Sequence, residues 1–295
     1  MDGILKKIKQ SDAFNRENRV PYLKVIVLMS LFTFVFLGAE FLFVNMISRI
    51  VSGHRSVAAQ NYVLGVSAVG FVLYPLLCRF CKGNAQTSVS VCAAVISNAC
   101  LFLMCRSGSY TLTLIAGLLL FLILGVFGSA VFYKSLCLLE DNTHIARLTG
   151  ISYMLGTMLQ IANSNLVHID IAEAAILSVF IMLLALMLIR AEKNSVVPAL
   201  SKSEPDGGNG RESLKISVIL VFFVALMTCI FSTLDNAVTL IHASGEANIG
   251  QWPRVLLALS GLLAGFLFDT ASRKYMSIVM YCITVLSTTL SLIHI

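Results

Sequence analysis

Charged residues are scarce in this sequence. Asp, Glu, Lys and Arg together make up 12 % of the 295 residues, about half the share found in an average soluble domain. This shortage excludes a disordered chain, a nucleic-acid-binding domain and an ordinary cytosolic enzyme. Hydrophobic residues instead make up 58 % of the chain, and the mean hydropathy is +0.88. The composition predicts a polytopic membrane protein whose main partner is the lipid bilayer.

Sequence motifs for nucleotide, zinc or acyl chemistry are also missing. The chain has no phosphate-binding P-loop, no His-Glu-x-x-His pattern and no Gly-x-Ser-x-Gly nucleophile turn. Its eight cysteines lie mostly inside apolar runs, where cysteine behaves as a small hydrophobic residue. We therefore predict that the chain is not an enzyme, holds neither a metal nor a cofactor, and has no nucleic-acid partner.

Long apolar segments dominate what is present. A helix needs about 20 mostly apolar residues to cross a bilayer core of about 30 Å. Nine segments meet this requirement: 24–47, 62–78, 88–105, 110–132, 148–167, 171–189, 216–241, 252–268 and 275–293. The predicted fold class is an all-α polytopic bundle with about nine transmembrane helices.

The positions of Lys and Arg predict the orientation of these helices. If the N-terminus lies in the cytoplasm, all but four of the 21 Lys and Arg residues fall in cytoplasmic segments. The four exceptions are Arg49, Arg55, Arg106 and Arg254. Because positively charged loops tend to stay inside, this distribution predicts a cytoplasmic N-terminus.

One loop divides the predicted helices into two groups. Residues 201–213, SKSEPDGGNGRES, combine Pro, Gly, Ser and mixed charge, a composition typical of a flexible linker. We therefore predict a cytoplasmic segment at 1–23, a six-helix bundle at 24–190, a cytoplasmic linker at 191–214 and three further helices at 215–295.

A weak internal repeat relates the two groups of helices. At an offset of 195 residues, Gly70 aligns with Gly265 and Arg79 aligns with Lys274. The same offset places Glu40 of the first segment on Asp235 of the seventh. Parallel six-helix repeats joined by a cytoplasmic linker occur in transporters of the major facilitator type.

Residues 265–274, GFLFDTASRK, resemble the major facilitator superfamily signature between helices 8 and 9, Gly-x-x-x-Asp-x-x-x-Arg-Lys/Arg. The copy in the first half is degraded, because Tyr74 stands where the acid would be. The resemblance implies a bundle of six plus six helices, of which six plus three are present. It also implies a conformational gate, and its candidate residues are Gly265, Asp269, Arg273 and Lys274. We expect Asp269 to meet a cation and the N-terminus of another helix; the alternative is a positively charged flank with a chance acid.

Two acids inside predicted spans are candidates for substrate binding or proton coupling. A carboxylate in hydrocarbon is costly unless it faces a partner or a water-filled cavity, so Glu40 and Asp235 are functional candidates. Asn45 lies close enough along the helix to share the face of Glu40. A structural explanation without a role in transport stays open for each acid. Glu40 can reach water at the outer end of its span, and Asp235 can pair with Asn236 purely for packing.

Span five carries two further candidates, Gln160 and Asn163. The two amides are three residues apart and so share one helix face. Amides inside a bundle either bind a substrate or hold helices together, and the second role is the commoner.

The leading functional expectation is a secondary carrier that moves a small solute by alternating access, with protons as a candidate coupling ion. The family resemblance further suggests a bacterial plasma membrane. Two alternatives stay open: a non-transporting sensor or scaffold built on the same bundle, and an unrelated polytopic protein. The substrate and the direction of transport are not predicted.

The last residues suggest that the sequence is incomplete. The ninth span runs into Ile295 without a polar tail, and residues 290–295, LSLIHI, resemble the translation of a sequencing-library adapter. We expect that the native chain departs from this sequence near Thr289 and continues into further helices.

Overall fold

The structure is a computed structural model, and it describes residues 19–51, 53–81, 84–139, 144–194 and 252–270. Throughout these ranges the regular structure is helical. The seven helices are α1 Arg19–Ile50, α2 His54–Phe80, α3 Asn84–Arg106, α4 Tyr110–Leu138, α5 Ile145–Leu166, α6 Asp170–Asn194 and α7 Trp252–Thr270. All the described residues belong to one unit of the chain.

Five of these helices, α1, α2, α3, α4 and α6, are long and apolar enough to cross a membrane. The predicted all-α fold class and the membrane character are therefore confirmed at this level. Each of the seven helices overlaps one of the predicted spans. The remaining two spans, 216–241 and 275–293, lie outside the described residues, so the count of nine helices has no structural support and stays a prediction.

The helices extend beyond the apolar windows that predicted them. Helix α2 begins at His54 rather than near residue 62, and it continues through Pro75 to Phe80. The chain reaches α2 by a sharp turn at Gly53, whose φ of 60° lies in the left-handed region that favours glycine. A hydropathy window misses such polar helix ends because polar residues lower its mean hydropathy without ending the helix.

Helices α1 and α4 form the centre of the bundle. Helix α1 packs against α4, α5 and α6, while α4 also packs against α2 and α3. Phe43 of α1 and Phe121 of α4 are fully buried where these two helices meet, with their ring centroids 6.2 Å apart in an edge-to-face arrangement. Helix α7 packs against α5 on another side of the bundle.

Helices α2 and α4 cross in backbone contact at two glycines. A Cβ atom on Gly70 would collide with the carbonyl oxygen of Leu122, and one on Gly125 would collide with the carbonyl oxygen of Ser67. Small residues allow this close approach, which gains van der Waals contact in a bilayer, where there is no hydrophobic drive between helices.

Candidate functional sites in the helix bundle

Polar side chains inside an apolar bundle are the natural candidates for function. Several of the buried ones are hydroxyls that donate to the carbonyl four residues earlier in their own helix. Examples are Ser97, Ser152 and Thr157. Such bonds satisfy the hydroxyl locally, and we assign these residues to structure. Three clusters remain, built around Glu40, Glu173 and Asp269.

The first cluster joins α1 to α2. The Nε2 atom of Gln60 donates a hydrogen bond of 2.8 Å to Oε1 of the half-buried Glu40. Tyr153 of α5 lies within electrostatic range of the same carboxyl. Glu40 therefore faces polar groups from two other helices within the bundle. Asn45 is half-buried on α1, and its predicted place on the face of Glu40 stays a prediction.

The second cluster lies between α5 and α6. Nδ2 of Asn163 is 3.5 Å from Oε1 of Glu173, and the side chain of Gln160 faces the same carboxyl. All three residues are buried, with exposures of 9 % for Asn163, 3 % for Glu173 and 4 % for Gln160. The predicted pair of amides thus shares one face of α5, and an acid from α6 completes it.

An ion pair ties α1 to α6 beside this cluster. The two terminal nitrogens of Arg49 donate to the two carboxylate oxygens of Asp170, at 2.5 and 3.1 Å. The thiol of Cys105 on α3 donates to the backbone carbonyl of Asp170 at 3.7 Å. Three helices therefore converge at this end of the bundle, which we call the Arg49 end.

The third cluster joins α5 to α7 at the opposite end of α5, which we call the Arg147 end. The backbone N–H of Arg147 donates to Oδ2 of Asp269 at 3.1 Å, and Nε of Arg147 lies 3.4 Å from the same oxygen. Arg147 is in the first turn of α5, where backbone N–H groups have no partner within the helix. Asp269 therefore caps the positive end of α5 from another helix.

A phenylalanine ring and an imidazole lie beside this contact. Phe266 lies one turn before Asp269, and the guanidinium carbon of Arg147 is 4.9 Å from its ring centroid. Nδ1 of His144 is 4.0 Å from Oδ2 of Asp269, and its ring meets Tyr22 of α1 edge-on at 6.2 Å. The side chain of Asp269 is 4 % exposed, so its charge is held within the interface.

Glycines bring α5 and α7 close enough for this contact. A Cβ atom on Gly265 would lie 2.6 Å from the carbonyl oxygen of Ala146, and one on Gly150 would lie 2.7 Å from the carbonyl oxygen of Gly261. Gly265 is one turn before Asp269, so the close approach of the two backbones places the carboxylate at the start of α5. The glycine and the acid of the sequence motif thus act on one interface.

Four predicted site residues lie outside the described residues: Asp235, Asn236, Arg273 and Lys274. Their roles stay predictions. Within the described ranges, no group of three or more His, Cys, Asp and Glu side chains is placed to hold a metal ion.

Three partners of the predicted residues were not predicted from the sequence. Gln60 precedes the apolar window of the second span and so was not placed beside Glu40. Glu173 lies in the first turn of α6. An acid is common at that position because it interacts favourably with the helix dipole, so the sequence offered no reason to expect a buried one. Arg147 was counted only as a positively charged loop residue. Each of these pairings joins different helices, which spacing along the chain does not reveal.

No protein-family model, no curated protein and no solved structure matches this chain. The likeness to the major facilitator superfamily therefore depends on the residues quoted from the sequence. The three clusters themselves offer two kinds of chemistry. The half-buried carboxyl of Glu40 and the buried carboxyl of Glu173 can accept hydrogen bonds or a proton, and the Asp269 contact joins two helices through a carboxylate, a guanidinium and a helix N-terminus.

Proposed function

We propose that the chain is a secondary carrier of major facilitator type, which moves a small solute across a bacterial plasma membrane by alternating access. Its N-terminus lies in the cytoplasm in this proposal. The observation that carries it is the contact of Asp269 with the N-terminus and the guanidinium of Arg147. This pairing is what a gate between helices requires, and it is made by the acid of the signature.

An electrostatic contact suits a gate because water can replace it. Buried apolar packing is lost without compensation when two helices separate, whereas the carboxylate and the guanidinium regain hydration as they part. The side chain of Arg147 is 21 % exposed, so this partner is not sealed within the bundle. We propose that the contact latches α5 to α7 in one conformation and opens in the other.

Glu40 is the proposed coupling residue within the described part of the bundle. Its hydrogen bond from Gln60 and its nearness to Tyr153 place it beside polar groups of two other helices. A carboxyl in such surroundings can exchange a proton when the solute or water enters. Asp235, its counterpart in the sequence repeat, is proposed for the same role in the second group of helices.

Transport assays on the full-length protein test this function. The protein is reconstituted into lipid vesicles that trap a pH-sensitive dye, and a panel of small polar and amphipathic solutes is added with and without a pH gradient. We expect solute movement that carries protons, and we expect Glu40→Gln to abolish the proton signal. Asp269→Asn is expected to slow solute movement because the latched conformation loses its charge pair.

Asp170→Asn is the matched control for the gate. It also removes one carboxylate from an Arg pair between two helices, but at the Arg49 end and away from α7. Slowing by Asp269→Asn without slowing by Asp170→Asn supports the gate. Vesicles in which the full-length protein moves no solute, with or without a gradient, contradict the carrier and favour the sensor or scaffold alternative.

A further inference from the structure

Glu173 is the acid that the proposed carrier does not use. It is 3 % exposed and lies one turn inside the Arg49 end of α6. An ionised carboxylate at such a depth loses favourable hydration unless charged or hydrogen-bonding groups replace the water. The groups around Glu173 therefore decide whether it carries a charge.

No cation among the described residues replaces the lost hydration of Glu173. Arg49 is engaged by both oxygens of Asp170, so its charge is already matched. Among the ion pairs formed by the described residues, none includes Glu173. Among the described residues, the other ionisable groups that interact with Glu173 are Asp170 on α6 itself and the thiol of Cys105 on α3, neither of which is positively charged. An ionised Glu173 would therefore be an uncompensated negative charge beside another acid.

The amides on α5 complete a different hydrogen-bond arrangement. Nδ2 of Asn163 points to Oε1 of Glu173, which leaves Oε2 of the carboxyl for another partner. The Gln160 side chain interacts with the carboxyl of Glu173, but neither of its two buried polar atoms makes a hydrogen bond of standard geometry within the described structure. A buried amide without well-formed hydrogen bonds is destabilising. A proton on Oε2 would give the oxygen of Gln160 the donor that it lacks.

The tight packing of the cluster favours a proton over a larger ion. A Cβ atom on Gly38 of α1 would lie 2.8 Å from Oε1 of Gln160 and 2.5 Å from a methyl carbon of Leu177, so α1 closes the site from one side. Two cavities in the described part of the chain are lined by other residues, one beside Lys134 and one at the turn that contains Gly53. A metal ion needs several oxygen ligands and space around them, whereas a proton needs neither.

We propose that Glu173 is a proton-binding site of the bundle, protonated at neutral pH through Oε2 and donating to Oε1 of Gln160. The proton comes from the aqueous phase at the Arg49 end. Asp170, one helical turn away, is partly exposed there with 28 % of its side chain accessible. The proposal does not depend on transport, because it concerns the protonation of one carboxyl in the folded chain. A failed transport assay therefore leaves it standing, and its own failure leaves the carrier standing.

Infrared spectroscopy of the protein in lipid nanodiscs tests the proposal directly. A protonated carboxyl has a C=O stretching band that is separate from the carboxylate and amide bands. We expect the wild-type protein at about pH 7 to show such a band and Glu173→Gln, which keeps the shape of the neutral acid, to lack it. Gln160→Met keeps the carboxyl but removes its acceptor, so the band is expected to persist and shift to higher frequency.

The pH dependence of the unfolding temperature gives a second measurement, which remains informative if a variant is less stable than the wild type. If the folded state keeps the proton while the unfolded chain releases it, the wild type loses stability as the pH rises above the ordinary carboxyl range. Gln160→Met is expected to keep that pH dependence. Glu173→Gln is expected to lose it, so its advantage in Tm over the wild type grows from pH about 4 to pH about 8.

Two results would overturn the proposal. The first is a wild-type infrared spectrum at about pH 7 in which Glu173→Gln removes carboxylate bands and leaves the protonated-carboxyl region unchanged, because Glu173 is then ionised. The second is a band or a Tm that changes with added Na⁺ at constant pH in the wild type but not in Glu173→Gln, because the carboxyl then binds a metal cation instead. A wild-type band that both disappears in Glu173→Gln and ignores Na⁺ supports the proton site.

Discussion

Two helix crossings in this bundle share a glycine at the point of contact but differ in the residue one helical turn later. Helices α2 and α4 meet at Gly70, and α5 and α7 meet at Gly265, its partner in the sequence repeat. One turn after Gly70, Tyr74 packs against Tyr133 of α4 with ring centroids 6.2 Å apart. One turn after Gly265, Asp269 instead pairs with Arg147 of α5.

The difference separates an aromatic contact from an ionic one. The tyrosine pair is held mainly by contact between ring faces and edges, which is lost when the rings part. The carboxylate and guanidinium are hydrated when they part, so their separation costs less. The same glycine contact therefore precedes an aromatic pair at one crossing and an ion pair at the other, and the proposed latch belongs to the second.

The largest effect is expected from Gly125→Ala in the α2–α4 crossing. The new methyl group meets the backbone of α2 at Ser67, which no side-chain rotation can relieve, so we expect a loss of about 3 kcal/mol. Thermal unfolding in detergent measures it. Gly65→Ala is the control, because a Cβ atom there meets nothing within 4 Å and the change slightly favours a helix. Equal unfolding temperatures for the two variants would contradict the backbone crossing.

Gly265→Ala is the corresponding change in the α5–α7 crossing. The methyl group meets the carbonyl of Ala146, so we expect a cost of about 2 kcal/mol that falls on this interface alone. Hydrogen exchange followed by mass spectrometry should show faster exchange in α7 and the start of α5, while α2 and α4 keep their protection. Leu263→Ala, at a position 63 % exposed on α7, provides the control. Uniform loss of protection across all helices would refute the distinction between the two crossings.

Asp269→Asn sharpens the comparison by removing charge and keeping shape. The amide oxygen still accepts from the Arg147 N–H, but the guanidinium loses its partner, so we expect a cost of about 1–2 kcal/mol. Faster exchange of the first amides of α5 reports it. Asp170→Asn, at the Arg49 end, should leave those amides unchanged, and an equal effect of the two variants would show that general charge balance is involved rather than this contact.

The smallest effect is expected from Phe266→Leu. This change removes the ring that faces the guanidinium of Arg147, a contact worth about 0.5 kcal/mol at a partly exposed site. Phe266→Tyr retains the ring face and is expected to match the wild type. The same exchange measurement at α5 compares the two variants, and an identical response to Leu and Tyr would show that the ring does not hold the cation.

The helices of this bundle were predictable because each apolar segment must satisfy its own backbone polar groups inside a bilayer. All seven described helices overlap predicted spans. The helix ends were less predictable, as α2 shows. Its first eight residues carry His54, Arg55 and Gln60, which lower hydropathy without stopping a helix. That error hid the partner of Glu40.

The clusters were predictable only in part. Gln160 and Asn163 share a face by helical spacing alone, and the motif placed Asp269 at a helix end. The burial of Glu173 depends instead on how α1, α5 and α6 pack, which spacing within one helix does not encode. Arg147 likewise became a partner only through the glycine crossing of α5 and α7.

The length of α1 has a consequence for how the protein responds to its membrane. Its 32 residues span about 48 Å as a helix, well beyond a hydrocarbon core of about 30 Å. A helix with this mismatch tilts or extends into the headgroups, and its tilt follows bilayer thickness. Because Tyr22 meets His144 near one end of α1 and Arg49 meets Asp170 near the other, a change in lipid chain length would act on both ends of the bundle at once.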